Sequence, residues 1–162
     1  MTNFEAALRV LAEAGVNFIV VGAYAAVAQG SGNTTQDLDI CYERTAQNMQ
    51  RLVAALAPYH PRLRGAPEGL PFLFDHLTLS QGMNFTLQTD LGDIDLLGDL
   101  SGLGQFLEVA RDAVLIPLFG GSYRMASLDA IIRSKRAAGR AKDLNALPEL
   151  EALKQLRDSE KE

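Results

Sequence analysis

Asp37 and Asp39 stand one residue apart inside an apolar run, Asp37-Leu38-Asp39-Ile40, and a third carboxylate, Asp95, is set the same way between Ile94 and Leu96. Side chains on a strand alternate faces. Asp37 and Asp39 therefore share one face while Leu38 and Ile40 turn to the core. Carboxylates placed in such runs call for a counter-charge, and neighbouring carboxylates are a ready magnesium site. Three of them on adjacent strands could hold two divalent ions about 3.5–4 Å apart, the spacing that clamps the attacking and leaving oxygens of an in-line phosphoryl displacement. In such chemistry Asp95 would lie nearest an acceptor hydroxyl and serve as its general base. Asp93 would share that face, but it adjoins a turn where a solvated aspartate needs no special explanation.

Two further features suit a phosphate-bearing ligand. Gly22-Ala23 follows a short apolar strand, and a turn lacking a Cβ lets phosphate approach backbone N–H groups at the start of the next helix. The same turn is equally readable as a packing device. Far along the chain, Leu128, Ile131, Ile132 and Lys135 recur at i, i+3, i+4 and i+7, so Lys135 prolongs an inward apolar stripe and would need an anion, the alternative being a lysine that snorkels to the surface. Residues 133–142 hold five of the fifteen basic residues and no acid, a basic patch on a chain of net charge −5. That acidic total argues against broad nonspecific nucleic-acid binding.

The elements that position these groups follow from periodicity and caps. Thr2 and Glu5 fit a capping box for a helix over residues 3–14. Residues 17–22 read as a doubly buried strand, 23–29 as a short helix, 30–36 as loop and 37–42 as the second strand. Thr45 caps a helix bearing Met49, Leu52, Val53 and Leu56. Residues 58–72, with four prolines, are irregular and carry no readable chemistry; His60 lies there, and His76 sits near the start of the next strand region. Strands at 83–89 and 93–97 join at Asp90-Leu91-Gly92. After a helix at 103–111, strands at 114–119 and 123–126 form a second hairpin, Ser127 caps the next helix, and 147–157 make the last helix with Pro148 near its first turn.

At 162 residues with 48% apolar and 22% charged composition, the chain reads as one globular domain, with a core over 17–126 and C-terminal helices over 127–158. A single cysteine, Cys41, excludes an internal disulfide, and the two distant histidines argue against zinc. No apolar stretch approaches the roughly 20 residues of a membrane span, and the N-terminal residues lack signal-peptide character, so a cytoplasmic protein is expected and no membrane association.

The string Val21-Gly22-Ala23, thirteen intervening residues, Asp37-Leu38-Asp39-Ile40 and the later Ile94-Asp95-Leu96 resembles the nucleotidyltransferase superfamily that includes DNA polymerase beta. It is most similar to small prokaryotic nucleotidyltransferase-like proteins related to abortive-infection toxins. The resemblance implies an α/β (α+β) fold, a mixed β-sheet flanked by helices, with Mg2+ and NTP binding. It implies transfer of a nucleotidyl group to a hydroxyl on RNA such as tRNA, on protein or on a small molecule, and an antitoxin as a further partner. Asp37, Asp39 and Asp95 match the metal ligands. Gly22, Ala23, Ser31, Thr35, Lys135, Arg140 and Asp143 are the expected nucleotide-binding positions, with Lys135, Arg140 and Lys142-Asp143 resembling the toxin-like group's basic motif. Two positions depart from the pattern: Ala23 stands where Gly or Ser is usual, so Ser31 would supply the hydroxyl, and Asn33 replaces an arginine two residues before Thr35. These departures leave a second expectation open, a non-catalytic nucleotide-binding or interaction module. A metal-dependent phosphodiesterase is a third reading, weakened by the absence of a histidine near the aspartates.

Overall fold

The computed structural model describes residues 1–161. In chain order its elements are α1 (Phe4–Glu13), β1 (Phe18–Val21), α2 (Gly22–Ala28), β2 (Asp37–Tyr42), α3 (Ala46–Leu56), a 3-10 turn (Ala57–Tyr59), β3 (Arg62–Leu63), α4 (His76–Gln81), β4 (Asn84–Thr89), β5 (Gly92–Leu97), α5 (Phe106–Ala110), β6 (Val114–Leu118), β7 (Gly121–Met125), α6 (Leu128–Ala138) and α7 (Ala141–Glu160). The strands form one mixed sheet in the order β3-β4-β5-β2-β1-β7-β6. This is the expected α/β arrangement of a mixed sheet with helices.

Hydrophobic burial sets the sheet's centre. All four residues of β1 are buried, as its β-branched and aromatic run requires. In β2 and β5 the alternation is sharp: Leu38, Ile40, Ile94 and Leu96 are fully buried, while Asp37, Asp39, Asp93 and Asp95 turn to the opposite face. Each such aliphatic side chain contributes roughly 1.5–3 kcal/mol on burial. Their combined burial pins the register and so decides where the aspartates point, since a one-residue slip would put every carboxylate in the core. β2 pairs in parallel with β5, with Asp37 opposite Asp93 and Asp39 opposite Asp95.

The N-terminal segment ties these two strands together. Thr2 was expected to cap α1, but Asn3 does so, its side chain accepting from the Ala6 N–H. The Thr2 hydroxyl instead donates to the Gln36 carbonyl and accepts from the Asp93 N–H at 3.0 Å, bridging the residues that open β2 and β5. Threonine is used where two strand starts need a shared polar partner, and the cap falls one residue later.

Three other expectations are corrected. His76 opens α4, not a strand, because Asp75 accepts from the Thr78 N–H and starts a helix. Within 58–72 the chain makes a 3-10 turn and the two-residue β3, and Arg64 just beyond β3 enters the carboxylate cluster. The last helix begins at Ala141, not Leu147, because the Asp143 carboxylate accepts from the Arg140 backbone N–H and from Arg140 Nε at the helix start. Pro148 then lies inside α7 on its exposed side, where its missing N–H and its ring disturb only the ladder to the preceding turn.

Helices α6 and α7 pack on one another and are fastened to the front of the sheet. Buried Gln29, just after α2, donates to the carbonyls of Ala25 and Ala126, and Arg157 of α7 donates to the Gln29 carbonyl at 3.0 Å. Glu149 of α7 accepts from Ser31, Gly32 and Asn33 in the loop entering β2. Among the described residues no helix is long and apolar enough to cross a membrane.

Candidate active site

The site begins at the β1 to α2 turn. Val21 lies opposite Asp39 across the antiparallel β1–β2 pair, and the next residue, Gly22, adopts a φ of +69°. Only glycine is at ease in that left-handed region. A Cβ built there would also run into the Asp39 carboxylate, so the Gly22 backbone forms one wall of the seat that Asp39 fills.

Asp37, Asp39 and Asp95 offer carboxylate oxygens that all lie within 4.8 Å of one another. Asp39 is the most perturbed. Burial, then the charge and hydrogen bond of Asp95 and the charge of Asp37, push its pKa up to about 8, with Arg64 pulling weakly in the other direction. Asp39 Oδ1 is buried and has no hydrogen-bond partner among the described residues. Clustered hard oxygens, one of them unpartnered, fit a divalent cation of the magnesium type.

A guanidinium that the sequence did not reveal enters this cluster. Arg64 is held to β4 by its backbone N–H, which donates to the Thr86 carbonyl, and by Nη2, which donates to the Leu87 carbonyl at 2.9 Å. Nη2 also donates to Asp95 Oδ1 at 2.6 Å, while Asp93 Oδ2 lies 3.5 Å from Nε and Asp37 Oδ2 lies 3.8 Å from Nη1. Arg64 sits in the proline-rich stretch, where a lone arginine carries no motif. Its one signal was negative: a cluster of acids without an apparent cation.

Beside the aspartates opens a cavity of about 540 Å³, lined among others by Gly22, Ala23, Thr35, Asp37 and Asp39 on one side and Lys135, Arg140, Lys142 and Asp143 on the other. Lys135 does reach inward: its side chain is 20% exposed, and Nζ lies 3.8 Å from Asp143 Oδ1. Asp143, nearly fully buried, accepts from Arg140 Nε at 2.7 Å, and that bond first and the charges of Arg140 and Lys135 next hold its carboxyl below the usual range. It therefore both caps α7 and orients two cations. Thr35 lines the cavity near the Asp37 backbone.

Ser31, an expected nucleotide-binding position, points elsewhere, as does Asn33, the residue that departs from the family pattern. The Ser31 hydroxyl donates to Glu149 at 2.5 Å, and Asn33 Nδ2 donates to the same carboxylate at 3.1 Å; neither lines the cavity. His60 pairs with Asp90 at the surface, and Cys41 is buried, with its thiol pushed up to about 12 by burial first and the charges of Asp99 and Glu108 next.

The mixed seven-stranded sheet with its helices has the fold of solved nucleotidyltransferases. Among solved structures, the lincosamide antibiotic adenylyltransferase LnuA in its lincomycin-bound form superimposes with a TM-score of 0.62 at 14% identity, covering 94% of this chain and 98% of that one. The antibiotic-resistance factor ANT(2'')-Ia in solution gives 0.56 at 12% identity over 97% of this chain and 90% of its own. Its complex with adenylyl-2''-tobramycin gives 0.55 at 13% identity, with coverages of 98% and 97%. The sequence matches no family model and no curated protein.

Proposed function

We propose that the chain is a Mg2+-dependent nucleotidyltransferase that moves a nucleotidyl group from an NTP to a hydroxyl of a small molecule. The observation that carries this is the meeting of Asp37 and Asp39, beside Asp95, with inward Lys135 across one cavity. At about 540 Å³ the cavity is of the size of small-ligand sites. Its similarity over nearly whole chains to LnuA bound to lincomycin and to ANT(2'')-Ia bound to adenylyl-2''-tobramycin supports a compact acceptor over a macromolecular one.

In this reading Asp37, Asp39 and Asp95 hold the cation or cations, which when bound neutralise charge at the reacting phosphorus and lower the pKa of the acceptor hydroxyl. Lys135, flanked by Arg140 and Lys142, meets the triphosphate, and Asp143 aims the first two. The Gly22-Ala23 backbone lets the phosphates come close, and Thr35 supplies the hydroxyl that Ser31, committed to Glu149, does not. The acceptor oxygen bonds to the α-phosphorus, the α–β bridging bond breaks, and pyrophosphate leaves. Asp95, whose second oxygen is not held by Arg64, takes the hydroxyl proton.

Asn33 favours one other reading, nucleotide binding without transfer, because it is turned to Glu149 and puts no charge into the cavity. An RNA acceptor, a toxin role and an antitoxin partner rest on the sequence resemblance alone. One experiment separates these. Protein and Mg2+ are incubated with each α-labelled NTP and, in separate arms, hydroxyl-rich antibiotics of the lincosamide and aminoglycoside kinds, total tRNA, or protein. Label on a small molecule, lost in Asp39→Ala, supports the proposal; label on tRNA or protein replaces the acceptor class; NTP binding with no labelled product in any arm overturns catalysis.

A further inference from the structure

We infer that Arg64 is the positioning residue of the carboxylate site, a resident counter-charge that holds Asp95 by one oxygen and sets how tightly the aspartates take a divalent cation.

Arg64 is a built part of the cluster. Its backbone and side chain are each hydrogen-bonded to β4, and its side chain is only 28% exposed. From that anchor one nitrogen reaches Asp95 Oδ1 at 2.6 Å, closer than either Asp93 or Asp37. The contact fixes the Asp95 carboxylate about its terminal torsion, a broad, roughly two-fold rotor when unrestrained. Oδ1 is thereby taken, and the other oxygen is the one left for a cation or a proton. Arg64 Nε is buried and has no hydrogen-bond partner among the described residues, its distance to Asp93 being an ion-pair distance without hydrogen-bond geometry. A guanidinium nitrogen left in that state shows that the group is held in place for charge, with hydrogen bonding incompletely satisfied.

Two consequences oppose one another. A fixed Asp95 favours metal binding, because less side-chain freedom is lost. A positive charge among the same carboxylates disfavours it, because like charges at this range repel strongly in a partly buried site. Over a few ångströms the charge effect exceeds the freedom of one carboxylate rotor. Arg64 therefore weakens metal affinity while aligning Asp95 for proton transfer. Retaining Arg at this place keeps the acids together without metal and leaves the metal exchangeable.

This inference rests on the metal-dependent reading above, and its test is arranged so that the two can fail separately. Mn2+ binding to full-length wild type, Arg64→Met and Arg64→Lys is measured without nucleotide from the paramagnetic resonance signal of free Mn2+. Arg64→Met is expected to bind Mn2+ about tenfold tighter than wild type because a full charge is removed beside the ion. Arg64→Lys, keeping the charge, stays within about twofold. In turnover both variants lose kcat with the KM for NTP unmoved, since the phosphate side is untouched. A variant that merely failed to fold would bind less Mn2+, never more. Wild type that binds Mn2+ while Arg64→Met binds no tighter overturns the role of Arg64 alone. Wild type that binds no Mn2+ overturns the metal reading and this role with it.

Discussion

Gly22 and Asp39 share one small space: the Asp39 carboxylate lies where any side chain on residue 22 would begin. The glycine of the β1 to α2 turn is thus required twice, for its φ of +69° and for the room it leaves beside the carboxylates.

Gly22→Ala should destabilise the protein by about 1–3 kcal/mol, combining left-handed backbone strain with displacement of Asp39. Denaturant unfolding measures the loss. Mn2+ binding should fall in the same variant, in contrast to a Gly→Ala change at exposed Gly120, where φ is +78° and a Cβ meets nothing within 4 Å. If both variants keep normal Mn2+ binding, the shared space has no functional weight.

Asp39 gives a pH dependence of definite sign. Burial and the neighbouring carboxylates push its carboxyl up to about 8 in the fold, against 3.8 for a free aspartate, so between those values the native state holds a proton that the unfolded chain releases. Its contribution to stability is therefore lost as pH rises through that window. In metal-free buffer with EDTA, Asp39→Asn should match wild type near about pH 4 and exceed it by about 2 kcal/mol near about pH 9, a discount on 1.36 kcal/mol per unit. Added Mg2+ should remove the advantage by stabilising wild type alone. Equal stability of the two proteins at high pH in EDTA would contradict the crowding of these carboxylates.

Lys135→Met keeps the apolar stem on the inward stripe of α6 and deletes the charge that faces the cavity. The KM for NTP should rise about ten- to a hundredfold, the loss of one or two charge-assisted bonds to phosphate. Binding of the acceptor, measured separately by calorimetry, should not move. A KM within about twofold of wild type would remove Lys135 from the phosphate site.

Cys41 is fully buried near the end of β2 and its thiol is pushed up to about 12. In native protein near about pH 8 it should resist an aromatic disulfide reagent, since thiolate is the reactive form, and one thiol should appear on unfolding in guanidinium. Fast labelling of the native form would mean that β2 opens locally, and the aspartates with it.

Much of the site was legible because local rules govern it. Alternation along β2 and β5 put Asp37, Asp39 and Asp95 opposite Leu38, Ile40, Ile94 and Leu96, and the inward stripe of α6 carried Lys135 to the cavity. The expected caps at Thr45 and Ser127 form as the side-chain chemistry dictates. The cap at Thr2 was misplaced because distant partners engage that hydroxyl and leave Asn3 to cap α1, and the start of α7 because the local Arg140–Asp143 pair closes the helix end before Leu147. Thr2 is engaged by Gln36 and Asp93, and Arg140 by Asp143.

By itself the sequence determined the strands, the face each aspartate takes and the cation that α6 points inward, since these depend on periods of two and 3.6 residues. Only the tertiary structure decided that β2 and β5 run side by side in parallel, that the β1 to α2 glycine gives its space to Asp39, and that Arg64 from the proline-rich loop is the counter-ion of Asp95. Those relations join residues 17, 31 and 56 positions apart, and chain pairing over such spans is set by burial of the whole sheet, which no local pattern encodes.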